Sequence, residues 1–160
     1  MATNPDPNLI LTSLSGHSRS LDDWQTMFHL CLVILPDQPD GAKVIPVAKT
    51  IFQTLGDADC RTAYVIPSTA AIARRILEDE ADKALVLLDP DKAFVKALGL
   101  RTLPALVHLR QDSTVVSAVE GWDRAAWQQT ANGVARAMAW STPEVPRLAS
   151  VDTGWGHTVR

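Results

Sequence analysis

Cysteine is scarce in this sequence, and its two cysteines lie far apart. They are Cys31 and Cys60. Dithiol redox sites and cysteine-based zinc sites place their cysteines only a few residues from one another. The spacing therefore excludes both kinds of site. Because free cysteine is among the most frequently buried residue types, we predict that both side chains pack inside the fold.

The sequence also lacks a cluster of charge of one sign. Fifteen basic residues stand against eighteen acidic residues, which gives a net charge of −3. Proteins that bind DNA or RNA neutralise phosphates with a basic patch, and the sequence contains no such patch. We therefore expect no nucleic-acid partner.

Long apolar runs are absent as well. The longest, residues 30–35, is too short to cross a bilayer, and residues 1–11 lack the cationic and apolar regions of a signal peptide. We expect no membrane partner and a cytoplasmic location. The histidines have no second ligand at metal-binding spacing and no glycine-rich phosphate loop is present, so we expect neither metal nor cofactor. These histidines are His17, His29, His108 and His157.

Short apolar runs alternate with amphipathic stretches along the chain. Buried strands are predicted at residues 8–14, 30–35, 61–66 and 85–88, with a hairpin at 106–119. Helices are predicted at residues 21–28, 42–55, 69–80, 92–98 and 124–139. This order indicates an α/β domain whose central mixed sheet is flanked by helices. We assign it residues 8–140, with 1–7 as a flexible N-terminus and 141–160 as a loosely attached tail.

Residues 89–107 read DPDKAFVKALGLRTLPALV. This stretch resembles the part of thioredoxin-like proteins that leads through a short helix and a glycine–hydrophobic–arginine step to a cis-proline and a hairpin. The resemblance covers residues 8–140. The extra helix and strand between Arg61 and Leu88 are similar to the insertion of the TlpA and peroxiredoxin branches. The resemblance implies a thioredoxin-like fold and a cis Leu103–Pro104 bond, the kind of bond for which the cis form costs least.

The resemblance also locates the site where such proteins keep their reactive cysteines. A helix proline follows the second cysteine by five residues, and Pro46 matches it. Counting back places Gln38 and Gly41 at the two cysteine positions, and Leu32 at the position of the family's buried aspartate. Neither glutamine nor glycine can exchange disulfides, and residues 36–47 hold no peroxidatic cysteine. The resemblance therefore implies a protein that is neither a disulfide oxidoreductase nor a thiol peroxidase.

Thioredoxin-like folds also use this region to hold extended peptides, and that use needs no sulfur. We predict a redox-inactive protein-binding module or assembly chaperone, whose partner is a protein or peptide segment. The candidate peptide-binding residues are Asp37, Gln38, Pro39, Asp40, Gly41, Thr102, Leu103, Pro104, Gly121 and Trp122. The segment Leu21-Asp22-Asp23-Trp24 and the cysteine-free loop are also similar to hydrogenase-maturation chaperones of the HyaE type.

Two alternatives remain open from the sequence. One is an enzyme without thiol chemistry, in which Asp37 and Asp40 act as acid and base, although carboxylates there also fit simple helix capping. The other is a structural subunit held in an assembly by its edge strand or its tail. In that tail, Trp155 lies between two glycines and could dock into a partner or lie back on its own domain. The sequence leaves the oligomeric state open.

Overall fold

Strands alternate with helices as the sequence pattern predicts. The computed structural model describes residues 2–148 and 153–159. The strands are β1 (Ile10–Ser13), β2 (Ser18–Ser20), β3 (His29–Ile34), β4 (Cys60–Ile66), β5 (Val86–Leu88), β6 (Thr102–Leu103), β7 (Ala105–Leu109), β8 (Val115–Glu120), β9 (Trp122–Asp123), β10 (Thr153–Trp155) and β11 (His157–Thr158). The α-helices are α1 (Leu21–Gln25), α2 (Ile45–Leu55), α3 (Ala70–Leu77), α4 (Ala93–Ala97) and α5 (Arg124–Ala137).

Seven strands form the central mixed sheet in the order β2-β1-β5-β4-β3-β7-β8. The β3, β4 and β5 strands are parallel, whereas β1 runs antiparallel to β5, and β7 antiparallel to both β3 and β8. The α3–β5 unit places β5 between β4 and β1, which is the predicted helix–strand insertion. Parallel strands need crossover connections, and helices α2 and α3 supply them.

Two hydrophobic clusters cover the two faces of this sheet. Successive side chains of a strand point to opposite faces. Accordingly Cys31 and Val33 belong to the cluster under α2, α3 and α5, while Leu32 and Ile34 belong to the cluster under α4. Both faces of β3 are buried, so its sequence is continuously apolar rather than alternating.

Three helices begin at predicted capping residues. The side chains of Ser20, Thr69 and Asp123 each accept a hydrogen bond from the backbone N–H three residues ahead. The Asp89 carboxylate lies four residues before α4 yet accepts bonds from Phe94 N and Val95 N, at 3.1 and 3.0 Å.

Three predicted helices differ from those observed, and the first, predicted to reach Phe28, ends at Gln25. The helix predicted at residues 42–55 begins instead with a 3₁₀-helix at Pro39–Val44, followed by α2. The helix predicted to reach Glu80 ends at Leu77, and a 3₁₀-helix at Glu78–Asp82 follows. The tighter turns bring Glu80 under the sheet, where its Oε2 accepts a 2.7 Å hydrogen bond from the buried Tyr64 hydroxyl.

Described residues on both sides of the predicted domain make specific contacts with it. The predicted N-terminus is residues 1–7 and the predicted tail is residues 141–160. Residues 1, 149–152 and 160 of these segments lie outside the described residues. Thr3 N donates to Leu98 O at 2.8 Å, and the Asn4 side chain accepts from Val115 N at 2.9 Å. Val145 is fully buried, and its backbone N–H donates to Gln128 Oε1 at 2.8 Å. Residues 3, 4 and 145 thus contact specific partners in the domain, and the assignment of 1–7 and 141–160 as flexible segments stays a prediction.

Within the described part of the chain, none of the helices has the length and apolar character needed to span a bilayer.

Candidate functional site

The three loops that the sequence nominates meet at one edge of the sheet. The register pairs Ile34, at the end of β3, with Ala105, at the start of β7. Ala105 in turn pairs with Glu120, at the end of β8. Loop 36–41, Pro104 and Gly121 directly follow or precede these paired positions. The strand order therefore brings together segments that lie far apart in the sequence.

Loop 36–41 is built around a glycine where a reactive cysteine would stand. A Cβ atom on Gly41 would lie 2.8 Å from the backbone oxygen of Pro36, closer than carbon and oxygen pack. Gln38 precedes the 3₁₀-helix, and its Oε1 is buried with no hydrogen-bond partner among the described residues. The position of the second cysteine therefore has no room for any side chain in this conformation.

The two cysteines lie toward the opposite end of the sheet. Cys31 is in β3, Cys60 begins β4, and both are buried free thiols. Burial raises the pKa of Cys60 to about 12, and it raises the pKa of Cys31 as well. Because the thiolate is the reactive form, neither side chain is available for disulfide exchange at neutral pH.

The backbone before Pro104 forms the centre of the site. The Leu103–Pro104 peptide bond is cis. The Glu120 side chain holds the preceding turn, because its Oε1 accepts hydrogen bonds from Arg101 N and, at 3.1 Å, from Thr102 N. This carboxylate connects the end of β8 to β6 and aligns the two.

Trp122 contributes its backbone rather than its side chain. The indole is 2% exposed and packs edge-to-face against Trp127, with ring centroids 5.1 Å apart. Trp127 Nε1 donates to Gly121 O at 2.9 Å, and Gly121 has a φ of +72° that favours glycine. The side chain of Trp122, one of the candidate peptide-binding residues, therefore lies in the core, while its main chain pairs with Trp155.

Residues 153–159 lie across the site, and the sequence reading missed their position. Strand β10 pairs antiparallel with β9, and β11 pairs antiparallel with β6. The paired residues are Thr153 with Asp123, Trp155 with Trp122, His157 with Leu103, and Thr158 with Thr102. Val159 N extends this pairing with a 2.8 Å hydrogen bond to Arg101 O. Of the two readings of Trp155, the structure has the one in which the residue lies back on its own domain.

Side chains attach the same segment to loop 36–41 and its helix. His157 Nε2 lies 2.8 and 3.0 Å from the two carboxylate oxygens of Asp40. The Lys43 ammonium lies 5.8 Å from the Trp155 ring centroid, within cation–π range. The only hint in the sequence was the Gly-Trp-Gly-His run itself, which has no periodicity.

A cavity of about 260 Å³ lies under this segment. It is lined by Pro36, Asp37, Gln38, Pro67, Lys92, Leu103, His157, Thr158 and Val159. The loop and the tail thus enclose a polar space between them. In the two described ranges, no three His, Cys, Asp or Glu side chains are grouped in a way that could hold a metal ion.

The fold is thioredoxin-like, and no cysteine stands at positions 38 and 41, where the resemblance places a reactive pair. At the sequence level, no family model and no curated protein matches the chain. At the structural level, several solved structures share its fold.

A putative thiol:disulfide interchange protein DsbE from Chlorobium tepidum has a TM-score of 0.71 at 15% identity, covering 86% of this chain and 98% of its own. A secreted Mycobacterium tuberculosis disulfide oxidoreductase homologous to E. coli DsbE has a TM-score of 0.63 at 17% identity, covering 81% and 96%. A cysteine-to-serine mutant of Xanthomonas campestris peroxiredoxin Q has a TM-score of 0.65 at 12% identity, covering 86% and 96%. These likenesses establish the fold.

Proposed function

We propose that this protein is a redox-inactive, thioredoxin-like binding module of the assembly-chaperone type. It holds an extended segment of another protein along β6 and β9 by strand addition. Main-chain hydrogen bonds supply the attraction in this mode of recognition, and neighbouring side chains supply the specificity. No sulfur chemistry is involved.

The observation that carries the proposal is the pairing of residues 153–159 with this edge. An extended chain lies there already, antiparallel to Thr102–Leu103 and to Trp122–Asp123. The edge therefore has the spacing and direction that an added strand requires. Each such hydrogen bond is worth about 1 kcal/mol net, so a short peptide would bind with modest affinity.

The chemistry of the remaining residues favours binding over catalysis. Asp40, one of the two carboxylates nominated for acid–base chemistry, is engaged by His157. Gln38 and Gly41 stand where the fold elsewhere carries thiols. Both cysteines are free and buried, the state that a reducing compartment maintains, which supports a cytoplasmic role.

Selection from a phage-displayed random heptapeptide library tests the proposal. The bait is the full chain, both as wild type and as Gly156→Val, because the tail covers the edge and a side chain at Gly156 has no room beside it. We expect the selected peptides, once synthesised, to shift the backbone amide NMR signals of residues 101–103 and 121–123. Peptides that shift signals elsewhere, or no enrichment with either bait, would contradict the proposal.

A pair of charge variants tests the specificity of the same site. Asp40→Asn removes the carboxylate that faces the tail histidine, and Asp57→Asn is the matched control on an exposed loop. Both changes are made in the Gly156→Val chain, so that the tail histidine does not compete for the carboxylate. Selected peptides that carry a histidine or a basic residue should bind Asp40→Asn about fivefold more weakly. Their affinity for Asp57→Asn should equal that for Gly156→Val alone.

A further inference from the structure

Residues 153–159, called here the tail segment, cover the edge that the proposed function assigns to a partner. The segment uses the backbone of both β6 and β9, so an incoming strand cannot pair with either while the tail segment is in place. Binding of a partner therefore requires that this segment leave.

Gly156 makes the contact closest to the edge. A Cβ atom at this position would lie 2.7 Å from Thr102 Cγ2 and 3.0 Å from Leu103 O. The second of these neighbours is backbone and cannot rotate away. A strand that follows the backbone path of the tail segment therefore fits best with glycine where Gly156 stands, because a larger residue needs Leu103 O to shift.

The residues on either side of Gly156 meet charged groups of the domain. His157 faces the Asp40 carboxylate at 2.8 Å, and Trp155 lies within 5.8 Å of the Lys43 ammonium. A hydrogen-bond donor after the glycine and an aromatic ring before it match these two charges. Lys43, Leu103 and Asp40 thus contact an aromatic residue, a glycine and a histidine, in that order along the tail segment.

The tail segment is held at the surface and not in the core. Its side chains are exposed or half-buried and none is fully buried, and its contacts with the two hydrophobic clusters are made by Trp155 and Val159. Segments with few buried apolar contacts open locally at low cost in free energy. The segment can therefore leave without unfolding the domain.

We infer that the tail segment is a tethered competitor, and that the partner is an extended segment with the same order of aromatic residue, glycine and histidine. This inference rests on the proposed function. A ligand tethered by a short linker acts at an effective concentration on the order of 1 mM. An untethered copy of the same peptide therefore cannot bind the wild-type chain with an apparent Kd much below that concentration.

Calorimetric titration with a synthetic peptide of residues 153–159 tests this inference on full-length protein. Gly156→Val prevents the tail from lying in place, and Gly133→Val is the matched control, since a Cβ on that glycine of α5 meets nothing within 4 Å. We expect the peptide to bind Gly156→Val at least about tenfold more tightly than it binds wild type. The control should bind like wild type. Trp155→Ala/His157→Ala, a second tail variant, should behave like Gly156→Val.

A second peptide, with alanine in place of the central glycine, tests the sequence order. It should bind Gly156→Val about tenfold more weakly than the natural peptide does, because its Cβ meets Leu103 O. Equal affinities of the two peptides would overturn the recognition order.

If the natural peptide binds wild type and both tail variants with equal affinity, the tail segment does not compete with it. That result would overturn the inference but not the proposed peptide-binding function. If library peptides bind at residues 101–103 and the natural peptide binds none of the chains, the inference fails and the proposed function stands. Light scattering measures the mass of wild type and of Gly156→Val. If wild type is a dimer and Gly156→Val a monomer, the segment that covers β6 and β9 belongs to a second copy, and the intramolecular assignment is overturned.

Discussion

Acidification should destabilise this protein through a buried histidine pair. His108 in β7 is 1% exposed, and its Nε2 lies 2.8 Å from His29 Nδ1. His108 Nδ1 has no hydrogen-bond partner among the described residues. Burial, the nearby His29 and Arg110 lower the pKa of His108 from 6.5 to about 4. If both rings were protonated, His29 Nδ1 and His108 Nε2 would both carry hydrogen and face each other as two donors 2.8 Å apart.

The sign and size of the effect follow from this pKa. The unfolded chain binds the proton at about pH 6.5, whereas the folded chain binds it only near pH 4. The stability that the folded chain gains by keeping His108 neutral is therefore fully present above pH 6.5. It is lost progressively as the pH falls to about 4. The difference in pKa corresponds to about 3 kcal/mol of unfolding free energy.

Urea denaturation at a series of pH values between 7.5 and 4.5 measures this loss. His108→Gln keeps a donor toward His29 but does not titrate, so we expect its stability to fall less steeply with acid than that of wild type. His17→Gln, which changes an exposed histidine, is the control and should follow wild type. Identical slopes for wild type and His108→Gln would refute the assignment of this pH dependence to His108.

Three further changes should alter stability in ways that denaturation curves can measure. Gly41→Ala should lower the free energy of unfolding by about 1–3 kcal/mol, because its Cβ would lie 2.8 Å from a backbone oxygen. Gly133→Ala, in open space on a helix, should raise it by about 0.5–1 kcal/mol. Similar denaturation curves for the two variants would contradict the tight fit of loop 36–41. Tyr64→Phe should cost about 1–3 kcal/mol, because it leaves the buried Glu80 carboxyl without its 2.7 Å donor, and a change below about 0.5 kcal/mol would show that water replaces the hydroxyl. Asp89→Ala should cost about 1–2 kcal/mol through two lost bonds to the first turn of α4, and an unchanged midpoint would disprove that capping role.

Much of the domain could be predicted from local patterns. The continuous apolar run of β3 identified a strand buried on both faces, and Ser20, Thr69 and Asp123 identified helix starts through capping chemistry. These signals are local, because burial period and capping depend on residues within one or two turns of each other. Of the boundaries that were wrong, those at Glu80 and before Ile45 lie where a 3₁₀-helix meets an α-helix, and the one at Phe28 lies where Thr26 and Met27 take a left-handed backbone.

The resemblance to thioredoxin-like proteins points to positions 38 and 41 as those of a reactive cysteine pair. Glutamine at position 38 and glycine at position 41 exclude a dithiol whatever the geometry, because neither carries sulfur. Only the structure explains why a side chain has no room at Gly41, since the obstructing atom is a backbone oxygen five residues earlier. The same is true of Trp122, whose burial against Trp127 depends on how α5 packs onto the sheet.

The sequence by itself determined the α/β class, the buried strands and the absence of thiols from the site, because each is written in local pattern or residue identity. The tertiary structure alone decided what covers that site. The tail segment has no hydrophobic period, and its partners Thr102–Leu103 and Trp122–Asp123 lie far away in the chain. Its main-chain pairing can be made by nearly every residue, and the fit of Gly156 and His157 depends on Leu103 and Asp40, which only the fold brings close.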